Sequence, residues 1–414
     1  MNSHIYTLIH LSAATEITFE PLALHRLEGI ISTPGVSMVY SDYFVDGERM
    51  TLIDCQDGSV RDDFNFGPVV AVKTALLPDD FSMPRNNIEW YRLRLALSRM
   101  GNIIRIPEPL YSVKQTGQVA ESQFDYVDPR NRSYQIEMEK ICTAHLRDTG
   151  ALLTAEPAVV DLSTDCFPVE ASVVIPVRNR VTTIKDAVNS ALGQAAGFDF
   201  NVIVVDNGST DGTLEALLSI DDKRLHVISV PKGYNMPGIG GCWNRAIFSD
   251  FCGKFAVQLD SDDVYSSPST LQRIVDKFYE EKCAMVVGSY TLTDFDLNII
   301  PPGLIDHREW TPDNGRNNLL RINGIGAPRA FFTPVARSIT FPDASYGEDY
   351  AMALAVSRTY RIGRIFDSLY FCRRWHDNTD ASLDSAAMNR NNFFKDTLRT
   401  RELHARIALN SSRK

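Results

Sequence analysis

The 414-residue sequence contains no apolar run long enough to cross a bilayer. Its first residues, Met1 to Ile17, lack a basic segment followed by an apolar core, so no secretion signal is expected. These absences point to a cytoplasmic protein, with peripheral contact at the inner membrane left open. There is no surplus of positive charge either. Lys and Arg number 42 against 52 Asp and Glu, a net charge of -10. Non-specific binding of a nucleic-acid backbone needs a basic surface and is excluded on that ground. The seven cysteines (Cys55, Cys142, Cys166, Cys242, Cys252, Cys283 and Cys372) form no Cys-x-x-Cys pair. That argues against zinc and fits reduced thiols. What is present is ordinary globular material: 44% hydrophobic and 23% charged residues, with length for two or three domains.

Strand–helix alternation is clearest from Ala171 onward. Ala171 to Ile175 is short, β-branched and bounded by Pro176, as a buried parallel strand would be. Thr182 to Leu192 places Ile184, Ala187, Val188 and Ala191 on one helical face. Asn201 to Val205, Leu225 to Val230 and Phe255 to Leu259 supply further strands, with a helix around Leu214 to Leu218. This is the pattern of an α/β domain with a mostly parallel sheet, which binds ligands at the carboxyl ends of its strands. Arg178, Asn179, Asp206 and Asp260 all fall at those ends.

The residues before Ala171 contain an internal repeat. Glu89 to Arg99 aligns without gaps on Glu348 to Arg358, and Ile103, Arg105, Ile106, Leu110 and Tyr111 pair with Ile362, Arg364, Ile365, Leu369 and Tyr370. A second block pairs Pro21, Leu24, Arg26, Met38, Val39 and Tyr43 with Pro268, Leu271, Arg273, Met285, Val286 and Tyr290. Trp90 stands where Asp349 stands, and Leu11 to Thr15 has no carboxylate where Asp260 to Asp263 would be matched. The expected organisation is a degenerate, non-catalytic half-domain at 1–115, a linker with a helix at 116–168, a catalytic domain at 169–380 and a C-terminal helix at 381–414. That last helix is expected to dock on the domain surface, an oligomer or membrane contact being the sharper alternative.

Three groups of residues carry chemistry. Asp260-Ser-Asp-Asp263 follows a buried strand, and two aspartates spaced by one residue give one or two carboxylate ligands to a hard cation. Asp206, at the end of the second strand, could accept a hydrogen bond from a base N–H and so suits a uracil edge; the other reading of this loop is an N-cap for the next helix, which Ser209, Thr210 or Asp211 could serve. His307, Arg308 and Trp310 precede Asn323 to Ala330; the Trp could stack on a sugar or anchor the core.

Residues 170 to about 380 resemble family 2 glycosyltransferases of the GT-A fold. The resemblance rests on Val173 to Arg180, Val204 to Thr213, Gly240 to Ala246, Gly253 to Asp263 and Gly347 to Tyr350, in that order. It implies that Pro176, Arg178 and Asn179 line a nucleotide pocket and that Asp206 meets the base. Asn244 and Arg245 would lie beneath the donor. Asp260 would reach the ribose or a metal, Asp262 would bind Mn²⁺ or Mg²⁺, and His376 would reach the metal or diphosphate. Glu348 and Asp349 would be the catalytic pair, with Asp349 as base. The implied reaction moves a sugar from a nucleotide donor, UDP-linked by preference, to a hydroxyl of a glycan or glycoconjugate, in one inverting displacement. Phe371 replaces the Gln of the Gln-x-x-Arg-Trp pattern of processive members, which disfavours polymer export. Gln258 is also unusual.

Two rivals were weighed. A nucleotidyltransferase should carry a glycine-rich basic loop after its first strand, where this chain has Pro176 to Arg180. A non-catalytic binding or scaffold protein should have lost its carboxylates, whereas Asp260, Asp262 and Asp349 are kept. Self-association is left open.

Overall fold

The structure is a computed structural model, and it describes residues 5–11, 15–115, 128–163, 166–231, 233, 236–375 and 384–413. The first unit contains β1 (Tyr6–His10), β2 (Thr15–Phe19), α1 (Ala23–Ile31), β3 (Val36–Val45), β4 (Glu48–Met50), β5 (Val69–Lys73), α2 (Asn87–Met100) and β6 (Asn102–Gln115). Helix α3 (Arg132–Asp148) follows. Then come β7 (Ala171–Val177), α4 (Ile184–Leu192), β8 (Phe200–Asp206), α5 (Thr213–Leu218), β9 (Leu225–Ser229), α6 (Ile239–Ile247), β10 (Phe255–Gln258) and β11 (Val264–Tyr265). The chain continues through α7 (Thr270–Glu281), β12 (Met285–Thr293), β13 (Ile299–Ile305), α8 (Gly315–Asn318), β14 (Arg329–Phe332), α9 (Thr333–Ile339), α10 (Glu348–Thr359), β15 (Ile362–Arg373) and α11 (Ser385–Ser412). Among the described residues no helix is long and apolar enough to cross a membrane.

The larger sheet has the order β11-β15-β12-β14-β10-β7-β8-β9, with β13 beside β12. Strands β10, β7, β8 and β9 are all parallel. Helices cover both faces there, so β7 and β8 are buried almost throughout and their sequences are continuously apolar. The four residues expected on one face of α4 are its buried ones. Beyond β10 the sheet is mixed: β14 runs antiparallel to both β10 and β12, while β15 is parallel to β12. The parallel character therefore belongs to the half that carries the first chemical residues.

The smaller sheet has the order β1-β5-β3-β6-β2, with β4 beside β3. This is the order β10-β14-β12-β15-β11 of the larger sheet, position for position, and each pair keeps its direction. Register agrees as well: Met38 lies opposite Val72 and Ile103, as Met285 lies opposite Phe331 and Ile362. The Tyr shared by the repeated helices makes the same bond twice. Tyr91 Oη donates to the Val60 carbonyl at 2.5 Å, and Tyr350 Oη to the Leu319 carbonyl at 2.6 Å. Trp90, in the position of Asp349, packs edge-on against Phe66 with ring centroids 5.7 Å apart. Residues 12–14, within the segment matched to Asp260–Asp263, and 116–127 of the expected linker lie outside the described residues.

The two units share more than a linker. Val60, Tyr91 and Leu95 of the first unit and Met138 of α3 belong to the same apolar core as β7 and β8. Arg132 at the start of α3 bridges to Asp306 at 3.1 Å and Glu309 at 3.2 Å. The C-terminal helix does dock on the domain, as expected, but through charge. Its buried residues are Lys395, Asp396, Arg399, Glu402, Leu403 and Arg406, whereas Phe393 is exposed.

Candidate active site

A cleft of about 820 Å³ opens along the carboxyl ends of β7 and β10 and is closed opposite by the start of α10. Pro176 and Arg178 form its wall after β7, and Asp260 and Asp262 its floor after β10. Glu348 and Asp349 face them from α10.

The floor is built by unusual means. Gln258 Nε2 donates to Asp260 Oδ1 at 2.8 Å, and its Oε1 accepts the Arg329 backbone N–H at 3.1 Å. The residue that departs from the resembled pattern thus aims the first aspartate. The Asp260 N–H donates to Tyr370 Oη at 3.0 Å. Asp262 lies 3.7 Å from Arg180 Nε. Asp263 accepts the Arg373 N–H at 2.8 Å and so ties the loop to the end of β15. Burial, then the neighbouring Asp260 carboxylate, pushes Asp262 above the ordinary carboxylate range. Burial followed by Asp262 and Asp260 does the same to Asp263. Crowded buried carboxylates of this kind are relieved by a cation. Among the described residues no group of three or more His, Cys, Asp or Glu could cage a metal. That suits an ion taking one or two protein carboxylates and completing its shell from phosphates and water. His376 lies outside the described residues.

Across the cleft, Gly347 adopts φ 77°, left-handed backbone that favours glycine, and starts α10 so that its first residues face inward. Asp349 Oδ2 lies 2.8 Å from Arg329 Nη1, and Oδ1 accepts the Tyr350 N–H at 2.7 Å. Glu348 is buried beside it. Burial, then the Asp349 charge, raises the Glu348 carboxyl to about 8. The close approach of α6 permits this. A Cβ on Gly240 would sit 1.9 Å from the Pro342 carbonyl oxygen and 3.0 Å from Glu348 Cβ, which only glycine avoids.

Several expected site residues are elsewhere. Asp206 is only 1% exposed and does not line the cleft; its Oδ1 accepts the Ser209 N–H at 3.3 Å. The turn uses the carboxylate that a base edge was expected to use. Asn244 spends its amide on the backbone of Phe341, donating at 2.8 Å and accepting at 2.9 Å, and Arg245 points to solvent. Neither lines the cleft, because both sit on faces of α6 turned away from it. Asn179, at φ 54°, accepts the Thr210 N–H at 2.8 Å and donates its own N–H to Ser209 Oγ at 2.9 Å. It joins two loops rather than forming cleft wall. Trp310 is buried under Arg364, which stacks 5.6 Å from its ring, so it anchors the core. His307 does line the cleft, held by Glu309 at 2.8 Å.

The residues that motif reading missed come from α11. Asn391, Phe394 and Lys395 line the cleft, and no local pattern in a Lys/Arg-rich helix distinguishes a cleft-facing cation from a solvated one. Arg329 was missed too, since a strand residue paired with Asp349 has no motif of its own.

The model of glycosyl transferase family 2 matches residues 172–338, the stretch that holds β7 to α9 and the Asp260–Asp263 loop. An uncharacterized glycosyltransferase of Haemophilus influenzae is 29% identical over 243 residues, covering 53% of this chain and 69% of that protein. Hyaluronan synthase of Pasteurella multocida is 29% identical over 226 residues, 54% of this chain, which spans only 21% of its length. The crystal structure of S. aureus TarS 1-349 in complex with UDP-GlcNAc shares 20% identity over 56% of this chain and 66% of that one, with a TM-score of 0.44. Over residues 172–338 the chain carries a family 2 glycosyltransferase domain.

Proposed function

We propose that this cleft transfers a sugar from a nucleoside diphosphate donor to a hydroxyl of a glycan or glycoconjugate acceptor, with inversion. The observation that carries the reading is the Asp260–Asp262 pair at the end of β10 facing Asp349 at the start of α10 across one cleft. Donor diphosphate would lie toward Asp260, Asp262, Arg178 and Arg180, with the acceptor on the side of Asp349. Asp349 takes the proton of the acceptor hydroxyl as that oxygen bonds to the anomeric carbon and the bond to the diphosphate breaks. Arg329 and the Tyr350 N–H hold one carboxylate oxygen each, and each oxygen keeps a further lone pair for the hydroxyl. Glu348, neutral at pH 7, adds no second charge beside the base.

Asp260 and Asp262 would hold Mn²⁺ or Mg²⁺, whose chemistry there is Lewis-acid relief of charge on the leaving diphosphate. UDP is the nucleotide to test first on the resemblance. We further propose that residues 1–115 are a non-catalytic copy of the second half of the catalytic domain. Its shared strand order and the Trp90 substitution support this. Release of nucleoside diphosphate from a panel of nucleotide sugars with Mn²⁺ or Mg²⁺ tests the activity. Metal-dependent release from one donor, lost in Asp262→Ala, is expected; no release and no metal-dependent nucleotide binding would move the reading to a scaffold.

A further inference from the structure

Lys395 brings to the cleft a charge that no carboxylate among the described residues pairs with. It is 7% exposed and lines the cleft from α11. Its Nζ donates to the Asn323 carbonyl at 2.6 Å and to Tyr346 Oη at 3.2 Å, and lies 4.4 Å from the centre of the Tyr346 ring. Its stem runs along Gly347: a Cβ there would meet Lys395 Cγ at 3.4 Å. The ammonium therefore stands on the same side of the cleft as Asp349. The neighbouring carboxylate in the helix, Asp396, is committed to Arg61 at 3.2 Å and Arg399 at 2.9 Å. Arg329, the nearby cation, is matched by Asp349. Among the described residues no carboxylate forms an ion pair with Lys395.

Lysine is rarely this buried without a counter-charge, because a desolvated ammonium is costly. An ammonium has three donors, and two are used here. Beside it Phe394 lines the cleft, and an aromatic wall suits a sugar ring. We infer that Lys395 receives an anionic group on the acceptor, a carboxylate or a phosphate, and makes the enzyme selective for acidic acceptors. This rests on the transferase reading above and deepens it.

Calorimetry on the full chain saturated with UDP and Mg²⁺ tests it, with methyl glucoside, methyl glucuronide and glycerol phosphate as probes. At least one acidic probe should bind about tenfold or more tighter than the glucoside. The better of the two identifies carboxylate or phosphate as the preferred group. Lys395→Met should abolish the preference and Lys395→Arg should keep it. Equal affinities for all three probes, no binding of either acidic one, or a preference that survives Lys395→Met overturns the assignment. So does loss of the preference in Lys395→Arg, which would mark the residue as a strut for Asn323. The wild-type comparison and the Arg variant decide the matter even where the Met variant does not fold. Failure of every nucleoside diphosphate of the donor panel to bind with Mg²⁺ or Mn²⁺ overturns the transferase reading itself and this inference with it; nucleotide binding without acidic preference, with whichever diphosphate binds in place of UDP, overturns this inference alone.

Discussion

Asp349 has both carboxylate oxygens oriented before any substrate arrives, one by Arg329 and one by the Tyr350 N–H. A carboxylate held this way would meet an acceptor hydroxyl without rearrangement. Asp349→Asn should lower kcat by about 10² to 10⁴, read from steady-state transfer. Its partner titrates oppositely to common expectation. Glu348 is raised to about 8 by burial and the Asp349 charge. The unfolded chain releases that proton near an ordinary carboxylate pKa, so the folded state binds more protons between there and 8. Stability contributed by this group is therefore lost as pH rises across that window. Glu348→Gln should gain melting temperature relative to wild type at pH 9 compared with pH 5, measured by scanning calorimetry. A difference that does not grow with pH would contradict the assigned burial.

The helix α11 shows what a residue pattern conceals at the scale of elements. Its apolar residues are few, and its buried face is an ionic array. Asp396 accepts Arg61 and Arg399, Arg358 bridges to Glu402 at 2.6 Å, and Arg406 bonds Glu402 at 2.7 Å. Removing one partner of such an array strands the other charge, which costs about 3 to 5 kcal/mol. Asp396→Ala should lose that much in denaturant unfolding; a loss under about 1 kcal/mol, typical of exposed pairs, would mean the array is solvated. The strands were legible where burial on both faces wrote continuous apolar runs, as in β7 and β8. Asp260, Asp262 and Asp349 fall in the cleft because each sits at the end of a regular element. Asp206 and Asn244, also at or near element ends, fall outside its lining for a related reason. A strand or helix terminus exposes some side chains to the cleft and gives others to the turn, and spacing alone does not separate the two. The charged face of α11 was illegible because a local pattern does not separate buried ion pairs from solvated ones, and because one partner, Arg61, bonds Asp396 across 335 positions.

At the scale of the molecule, the first unit is joined to the wall of the cleft. Asp62 bonds Arg321 at 2.6 Å, and Asp63 accepts Asn323 Nδ2 at 2.6 Å. Asn323 is itself cleft wall. Residues 165–414 expressed alone would leave Arg321 and Asp396 without these carboxylate and guanidinium partners and would open the core that Tyr91, Leu95 and Met138 close. That fragment should aggregate or unfold without a cooperative transition. Full solubility and activity would show that the first unit is dispensable. The repeat was readable in the sequence because identical side chains serve identical bonds, as Tyr91 and Tyr350 do. Its contact with the cleft was not, since it arises from the loop that differs between the copies.

The central claim is that donor chemistry at Asp260 and Asp262 and the base at Asp349 meet in one cleft. The most direct test compares nucleotide affinity and sugar transfer in the wild type and Asp349→Asn, with the metal and donor found by the panel. The account predicts unchanged, metal-dependent nucleotide binding with transfer reduced by about 10² or more. Transfer that persists at the wild-type rate would contradict it.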